Sequence, residues 1–236
     1  MTSPSRRIAY LAVSADGLIA DRHGQIGWLE KFGSADDFGF AAFLDNVDAL
    51  VMGRRTFDQI AGFGGAWPYG SRPALVLTHH ALPANAPANA RGASEEEITQ
   101  ALLGAPGTIW IVGGAVTLAL CLRRGLIDEV QLFVMPVLLG EGTPLTGRLN
   151  KHTALTLMRS DSLSHGVVKL TYAVEAAEQQ AAPPPEAEAP AAAIETHSTH
   201  NEEGLATGAR ADFTEPAVDP EALWPYPPEA NMEKDA

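Results

Sequence analysis

Three short stretches of the 236-residue chain combine residue types that hold anions. Residues 48–57 read DALVMGRRTF, an apolar run that ends in Gly53 and passes at once to Arg54, Arg55 and Thr56. A buried strand feeding a helix start there brings free backbone N–H groups, the positive helix end and two guanidiniums to one spot, which suits a phosphate. Residues 108–116, TIWIVGGAV, carry a second run through Val112 into Gly113, Gly114 and Ala115, where paired glycines let a ligand approach the backbone ahead of a helix. This is neither a GxGxxG fingerprint nor a phosphate loop, because no Lys-Ser/Thr follows. The third run, PALVLTHH, releases Thr78, His79 and His80, a hydroxyl and two imidazoles able to read a sugar or a phosphate. Each stretch alone also reads as ordinary loop or helix-start chemistry. Together they fit an extended anion such as a dinucleotide pyrophosphate, since ligands of α/β sheets gather beyond the carboxyl ends of the strands.

The elements that must position these residues alternate. Strands are expected at residues 6–13, 48–52, 73–78 and 108–112, and helices at 36–46, 56–61, 94–103 and 115–124. Ser94-Glu95-Glu96-Glu97 is a capping box, and two arginines before Gly125 close the last helix. Three further strands follow at 128–139, 154–162 and 167–174, the last two joined at Ser164, His165 and Gly166. Alternating strands and helices with a terminal antiparallel hairpin imply a three-layer α/β/α sandwich on a mixed sheet.

Charge divides the chain. Residues 175–236 hold fourteen acidic side chains against Arg210 and Lys234, and nine of the seventeen prolines, whereas residues 1–174 are nearly neutral. The expectation is a globular domain over 1–174 and a disordered acidic Pro/Ala-rich tail over 175–236, since such a tail buries too little apolar surface to offset its ordering entropy. Phe213, Leu223, Trp224 and Tyr226 read either as an uneventful tail end or as a short docking motif for a protein partner. Without a Lys/Arg excess, nucleic acid is not an expected partner. The single Cys121 excludes an intrachain disulfide framework and reads as a core residue. The seven histidines show no ligand spacing, so no metal is expected, and no apolar run reaches membrane-spanning length. The short apolar start reads as a strand rather than a signal peptide, which gives a cytoplasmic expectation.

SADGLIA, DDFGFAAFL, DALVMGRRTF, PALVLT, IWIVGGA and IDEVQLFVMPVLLGEGTPL, in that order across residues 6–174, resemble the dihydrofolate reductase superfamily. The closer resemblance is to its bacterial branch that shares the riboflavin-biosynthesis reductase (RibD C-terminal) domain. The resemblance implies a sheet of about eight strands, NADPH as cofactor, hydride transfer to a small pterin- or ribosylaminopyrimidine-like heterocycle, and a homodimer with the strand VQLFVMPVLL as an interface. By position, Gly53, Arg54, Arg55 and Thr56 hold the pyrophosphate and 2'-phosphate, Thr78 and His79 lie along the adenosine ribose and its phosphate, and Val112, Gly113, Gly114 and Ala115 lie under the pyrophosphate and nicotinamide. Gly113 and Gly114 are often joined by a cis peptide in the family. Ala12, Val13, Leu18 and Ile19 face the nicotinamide, on a loop able to act as a lid.

On the substrate side, Asp37 is the catalytic carboxylate by position, with Phe40 on the same face, while an acidic pair also simply favours a helix N-terminus. Asp16, with Ser14, is the second catalytic candidate, though Asp-Gly is also a common turn pair. Trp28 either stacks on a ring or anchors its loop, and Glu141 either borders the substrate or belongs to a plain loop. Departures from the family pattern are His79 in place of a basic residue, which weakens the implied preference for NADPH over NADH, GTPLTG without the aromatic wall, and no Pro-Trp entry, so folate is not the favoured substrate. The principal expectation is an NADPH-dependent reductase. The alternatives are a non-catalytic nucleotide-binding adaptor that acts through the acidic tail, and a ribosylaminopyrimidine reductase working without an attached deaminase.

Overall fold

The computed structural model describes residues 5–32 and 37–175. The start of the first expected helix at Asp36, and the tail with its Trp224 segment, therefore lie outside the described residues. In chain order the elements are β1 (Arg6–Ser14), β2 (Leu18–Asp21), α1 (Phe40–Leu44), β3 (Ala49–Gly53), α2 (Arg54–Gly62), β4 (Ala74–Leu77), β5 (Ala90–Ala93), α3 (Glu95–Gly104), β6 (Thr108–Gly113), α4 (Ala115–Arg123), β7 (Glu129–Met135), β8 (Gly142–Pro144), β9 (Leu155–Ser162) and β10 (Val168–Val174). Short 3-10 turns occupy Gly27–Phe32 and Ser164–Gly166.

Continuous apolar runs become inner strands because both their faces are covered. Leu50, Val51 and Met52 of β3 and Ile109, Trp110 and Ile111 of β6 are all buried. The main sheet runs β5-β4-β3-β6-β1-β7-β10-β9; the first six are parallel to one another, and β10 and β9 add antiparallel at the end. One face buries an aromatic cluster of Tyr10, Phe40, Phe57, Tyr69, Trp110 and Phe133 beneath α1 and α2. The other buries aliphatic Val51, Ile98, Leu102, Ile109, Ile111 and Leu118 beneath α3 and α4. This is the expected three-layer α/β sandwich. Trp110 Nε1 donates to the Tyr10 carbonyl at 2.9 Å, so the largest core side chain also ties β6 to β1. At the far end of the sheet, Arg7 pairs with Asp128 and Arg6 with Glu129. Burial pushes the Asp128 carboxyl up, but the hydrogen bonds and charge of Arg7 outweigh it and hold it below the ordinary carboxylate value.

Some boundaries differ from expectation, each for a local reason. The capping box forms as read: Ser94 accepts from the Glu97 N–H, and the Glu97 carboxylate accepts from the Ser94 N–H. Helix α2 starts two residues early, directly after Gly53. Strand β7 stops at Met135 because Pro136 offers no N–H to a ladder. Helix α1 is shorter than expected, following Gly39 in the left-handed region. Strand β5, with sequence ARGA, carries no β-branched or aromatic signal, and only its pairing with β4 defines it. The pair β2–β8 is likewise defined by long-range pairing between the loop after β1 and the loop after β7.

Gly107 turns the chain into β6 at φ +83°, beside the Asp48 carboxylate that accepts from the Thr108 N–H at 2.7 Å. An added Cβ would overlap that carboxylate. Gly107→Ala is therefore expected to cost about 1–3 kcal/mol in denaturant unfolding, whereas the same change at Gly62, which has open space and no positive φ, is expected to leave stability unchanged or raise it.

Candidate functional site

Strands β3 and β6 are adjacent and parallel, and each runs straight into a helix. The N-termini of α2 and α4 consequently open side by side at the same edge of the sheet. The Gly114 N–H donates to Thr56 Oγ1 at 2.9 Å, fastening the two helix starts together. Gly53 is required there, because a Cβ would stand 2.9 Å from Thr117 Oγ1. The Gly113–Gly114 peptide is cis, as the resemblance implied. Thr117 Oγ1, on the first turn of α4, is buried without a hydrogen-bond partner among the described residues.

A cleft of about 500 Å³ opens over this edge and continues down the face covered by α1 and α2. Its walls include most of the expected cofactor residues: Ala12, Gly53, Arg54, Arg55, Thr56, Thr78, His79, Val112, Gly114 and Ala115. Three expected residues stand behind the wall. Val13 is buried on the strand face opposite Ala12, as the twofold alternation of a strand requires. Gly113 is buried beneath the turn into α4. Leu18 is turned aside on β2, where its N–H is held by Ser14 Oγ, and its neighbour Ile19 lines the cleft.

The two arginines do different work. Arg54 lies along α2, with Nε 2.8 and 2.9 Å from the Asp58 oxygens and Nη1 3.0 Å from the Ala81 carbonyl, and so braces the segment that leaves β4. Arg55 is exposed and engages no partner among the described residues, which leaves its charge available to an anion. Thr78 closes a small turn with His80.

The substrate-side candidates fall elsewhere. Asp16 does not line the cleft. Its carboxylate takes hydrogen bonds from Ser14 Oγ at 2.6 Å and from the Leu139 and Gly140 N–H groups, tying the loop after β1 to the loop after β7. Those bonds, that of Ser14 first, lower its pKa to about 2; the structure thus places Asp16, expected as a catalytic candidate, as a loop anchor away from the cleft wall. Ser14 is buried beneath it. Asp37 is exposed ahead of α1 and accepts from the Gly39 and Ala41 N–H groups, the helix-start role left open for it in the sequence. Phe40 lies in the core 5.6 Å from Trp110, Trp28 packs against the same core, and Glu141 is exposed before β8; none of the three lines the cleft.

What lines the far end of the cleft instead is largely aromatic and aliphatic: Tyr10, Ile26, Leu29, Ile60, Tyr69 and Trp110. Elsewhere in the wall, Gln59, one helical turn beyond Arg55 and Thr56, adds a polar but uncharged group, and Glu95, at the start of α3 beside Thr78, an acidic one. Sequence pattern marked Tyr10 and Trp110 only as strand residues. For Gln59, the signal available was its helical spacing of three from Thr56.

The fold is a three-layer α/β domain with a cleft and two helix N-termini at the carboxyl edge of its sheet. Residues 96–169 match the RibD C-terminal domain. The chain is 32% identical over 171 residues to the uncharacterised protein YwjB of Bacillus subtilis (strain 168), covering 69% of this chain and 94% of that one. Among solved structures, a candidate riboflavin biosynthesis protein of Shewanella sp. PV-4 is 31% identical with a TM-score of 0.66, over 72% of this chain and 99% of that one. The Thermotoga maritima diaminohydroxyphosphoribosylaminopyrimidine deaminase/5-amino-6-(5-phosphoribosylamino)uracil reductase shares the fold at 16% identity, with a TM-score of 0.51 over 73% of this chain and 57% of that one. The chain belongs to the RibD C-terminal domain family, a reductase domain of the riboflavin-pathway type.

The Asp16 clamp has a pH signature. Because the folded-state pKa is depressed, its contribution is present above the ordinary carboxylate range and is lost as pH falls from about 4 through about 2. Asp16→Asn is expected to be less stable than wild type at pH 7 and to show a smaller further loss between those limits in acid-unfolding curves followed by circular dichroism.

Proposed function

We propose that the protein is an NADPH-dependent reductase of a small heterocycle. The observation that carries this reading is the pair of helix N-termini fastened at Thr56 and Gly114, with Gly53 stripped of any Cβ and the unpartnered Thr117 hydroxyl beneath them. That cradle fits a pyrophosphate: free N–H groups face outward, the positive ends of two helices converge, and a buried donor is available. The exposed Arg55 supplies positive charge, and Arg54, Thr78 and His79 line the adenosine side. Ala12, Ile19, Val112 and Ala115 form the wall nearest the far, apolar end.

When bound, NADPH supplies the hydride. The chain's part is to hold the two reactants against each other and keep water out, a task suited to a cleft with charge at one end and an apolar floor at the other. Glu95 stands at the α3 side, and burial first, then the charge of Asp37, raises the pKa of Tyr10 in the cleft wall, so water or Asp37 supplies the proton that accompanies reduction. Arg55→Ala is expected to weaken NADPH binding at least about tenfold, the loss of one charge-assisted contact, in a titration following tryptophan fluorescence and calorimetry. Wild-type protein that binds no NADPH would overturn the reading.

We also propose a homodimer, at a different surface from the one first expected. Strand β7, which carries most of VQLFVMPVLL, is internal to the sheet between β1 and β10. The open edge is β9, where Leu155, Leu157 and Met158 are 41%, 53% and 62% exposed, beside a β10 that is only half-buried along its whole length. An exposed apolar edge strand is a template for pairing, and a second copy covers it symmetrically. Leu157→Lys is expected to convert a dimer to a monomer in sedimentation analysis without changing NADPH affinity; a wild-type monomer would refute this assembly.

A further inference from the structure

The adenosine end of the cleft holds a carboxylate that the capping box of α3 sets in place. The Thr78 N–H donates to the Ala93 carbonyl at 3.1 Å, so the end of β4 lies against the end of β5, and Ser94 caps α3 directly after it. Glu95, the first residue of that helix, stands beside Thr78 and lines the cleft with Thr78, His79 and Arg54. The next two acids of the same turn are held by other groups. Glu97 accepts from the Ser94 N–H and hydroxyl at 2.8 and 2.9 Å, closing the cap, and Glu96 accepts from Gln100 Nε2 at 2.8 Å. Glu95 lies 3.6 Å from Arg124, a cation shared with Glu96 at 3.3 Å, so two carboxylates divide one guanidinium. Arg54, the guanidinium of the adenosine end, is bound through Nε to both Asp58 oxygens, and its charge is thereby already matched.

A carboxylate in that position acts in opposite ways on the two nicotinamide dinucleotides, which differ by a phosphate on the adenosine ribose. Toward NADH, whose ribose there bears free hydroxyls, it is an ionised acceptor for O–H donors, a charge-assisted contact. Toward NADPH it meets a phosphate of its own sign, and like charges at contact distance lower affinity severalfold even through water-like screening. Resting on the reductase reading above, we infer that Glu95 is a specificity-determining residue of the dinucleotide site. It accepts the adenosine-ribose hydroxyls of NADH and repels the 2'-phosphate of NADPH, so that the protein takes both dinucleotides with similar affinity. Arg55 of α2 favours the anionic groups of either one, and Glu95 sets how far they are told apart.

Calorimetric titrations of the full chain with NADPH and with NADH read the ratio of the two affinities, which a merely structural role for Glu95 does not move. In the wild type the two affinities are expected to lie within about tenfold of each other. Glu95→Gln is expected to shift the ratio toward NADPH by at least about fivefold, and Glu95→Lys to shift it further. Glu96→Gln, which removes the same charge from the same helical turn and from the same Arg124, is expected to change the ratio by less than about twofold. A wild-type preference for NADPH beyond that tenfold range, an unchanged ratio in both Glu95 variants, or an equal shift in Glu96→Gln overturns the inference. Wild-type protein that binds neither dinucleotide is a different failure, which removes the reductase reading on which the inference rests.

Discussion

The Gly114 N–H to Thr56 Oγ1 bond is the contact on which the site depends, because it is the hydrogen bond that fixes the separation of the two helix starts. Parallel pairing of β3 with β6 sets them at one sheet edge, and the register there, Met52 against Gly113, makes both strands end at the same level. Gly53 can then approach the first turn of α4 more closely than any residue with a Cβ. The result is a patch of free N–H groups whose positions are dictated by the inner sheet rather than by flexible side chains. Electrostatic preorganisation of this kind costs nothing further at binding.

Those parts of the domain whose information is local were legible in the sequence. Buried strands appear as unbroken apolar runs, the cap of α3 as Ser94 with Glu97, and the anion cradle as glycine followed by a helix start. Features created by long-range pairing were not. Strand β5 has only Ala, Arg and Gly to offer and exists because β4 lies beside it. Asp16 was visible as a chemically capable carboxylate, yet its partners Leu139 and Gly140 are more than a hundred residues away, and they make it a clamp instead of an acid. For Val13 and Leu18 the correct segment was found, but which face a strand residue takes is settled by one position of register.

The clamp and the cradle are coupled through β2. Asp16 holds the loop after β1 against the loop after β7, and the β2–β8 pairing continues that seam up to Gly142, where a Cβ would collide with the Ala20 carbonyl. Ile19 and Ala20, which line the cleft, and Thr143 opposite them thus sit on a two-stranded flap fastened at both ends. Its position over the cleft rests on backbone pairing, on the Asp16 clamp, on Asp21, whose carboxylate accepts from the His23 and Gln25 N–H groups, and on Ser14 Oγ, which accepts from the Leu18 N–H. This arrangement keeps the wall ordered at neutral pH while leaving it the least deeply anchored part of the site.

The floor of the cleft imposes a different constraint. Tyr10, Tyr69 and Trp110 are each about 1% exposed and interlock edge-on, with Trp110 6.0 Å from Tyr10 and 5.4 Å from Tyr69. They are the centre of the aromatic core and close the cleft from beneath. Replacing any of them to alter specificity opens a cavity in that core, at about 3–5 kcal/mol for a large aromatic cut back to alanine, a sizeable share of the stability of an ordinary domain. Ile19 and Gln59 are half-buried at the rim and outside that core, so selectivity in this scaffold is adjusted there while the core stays packed.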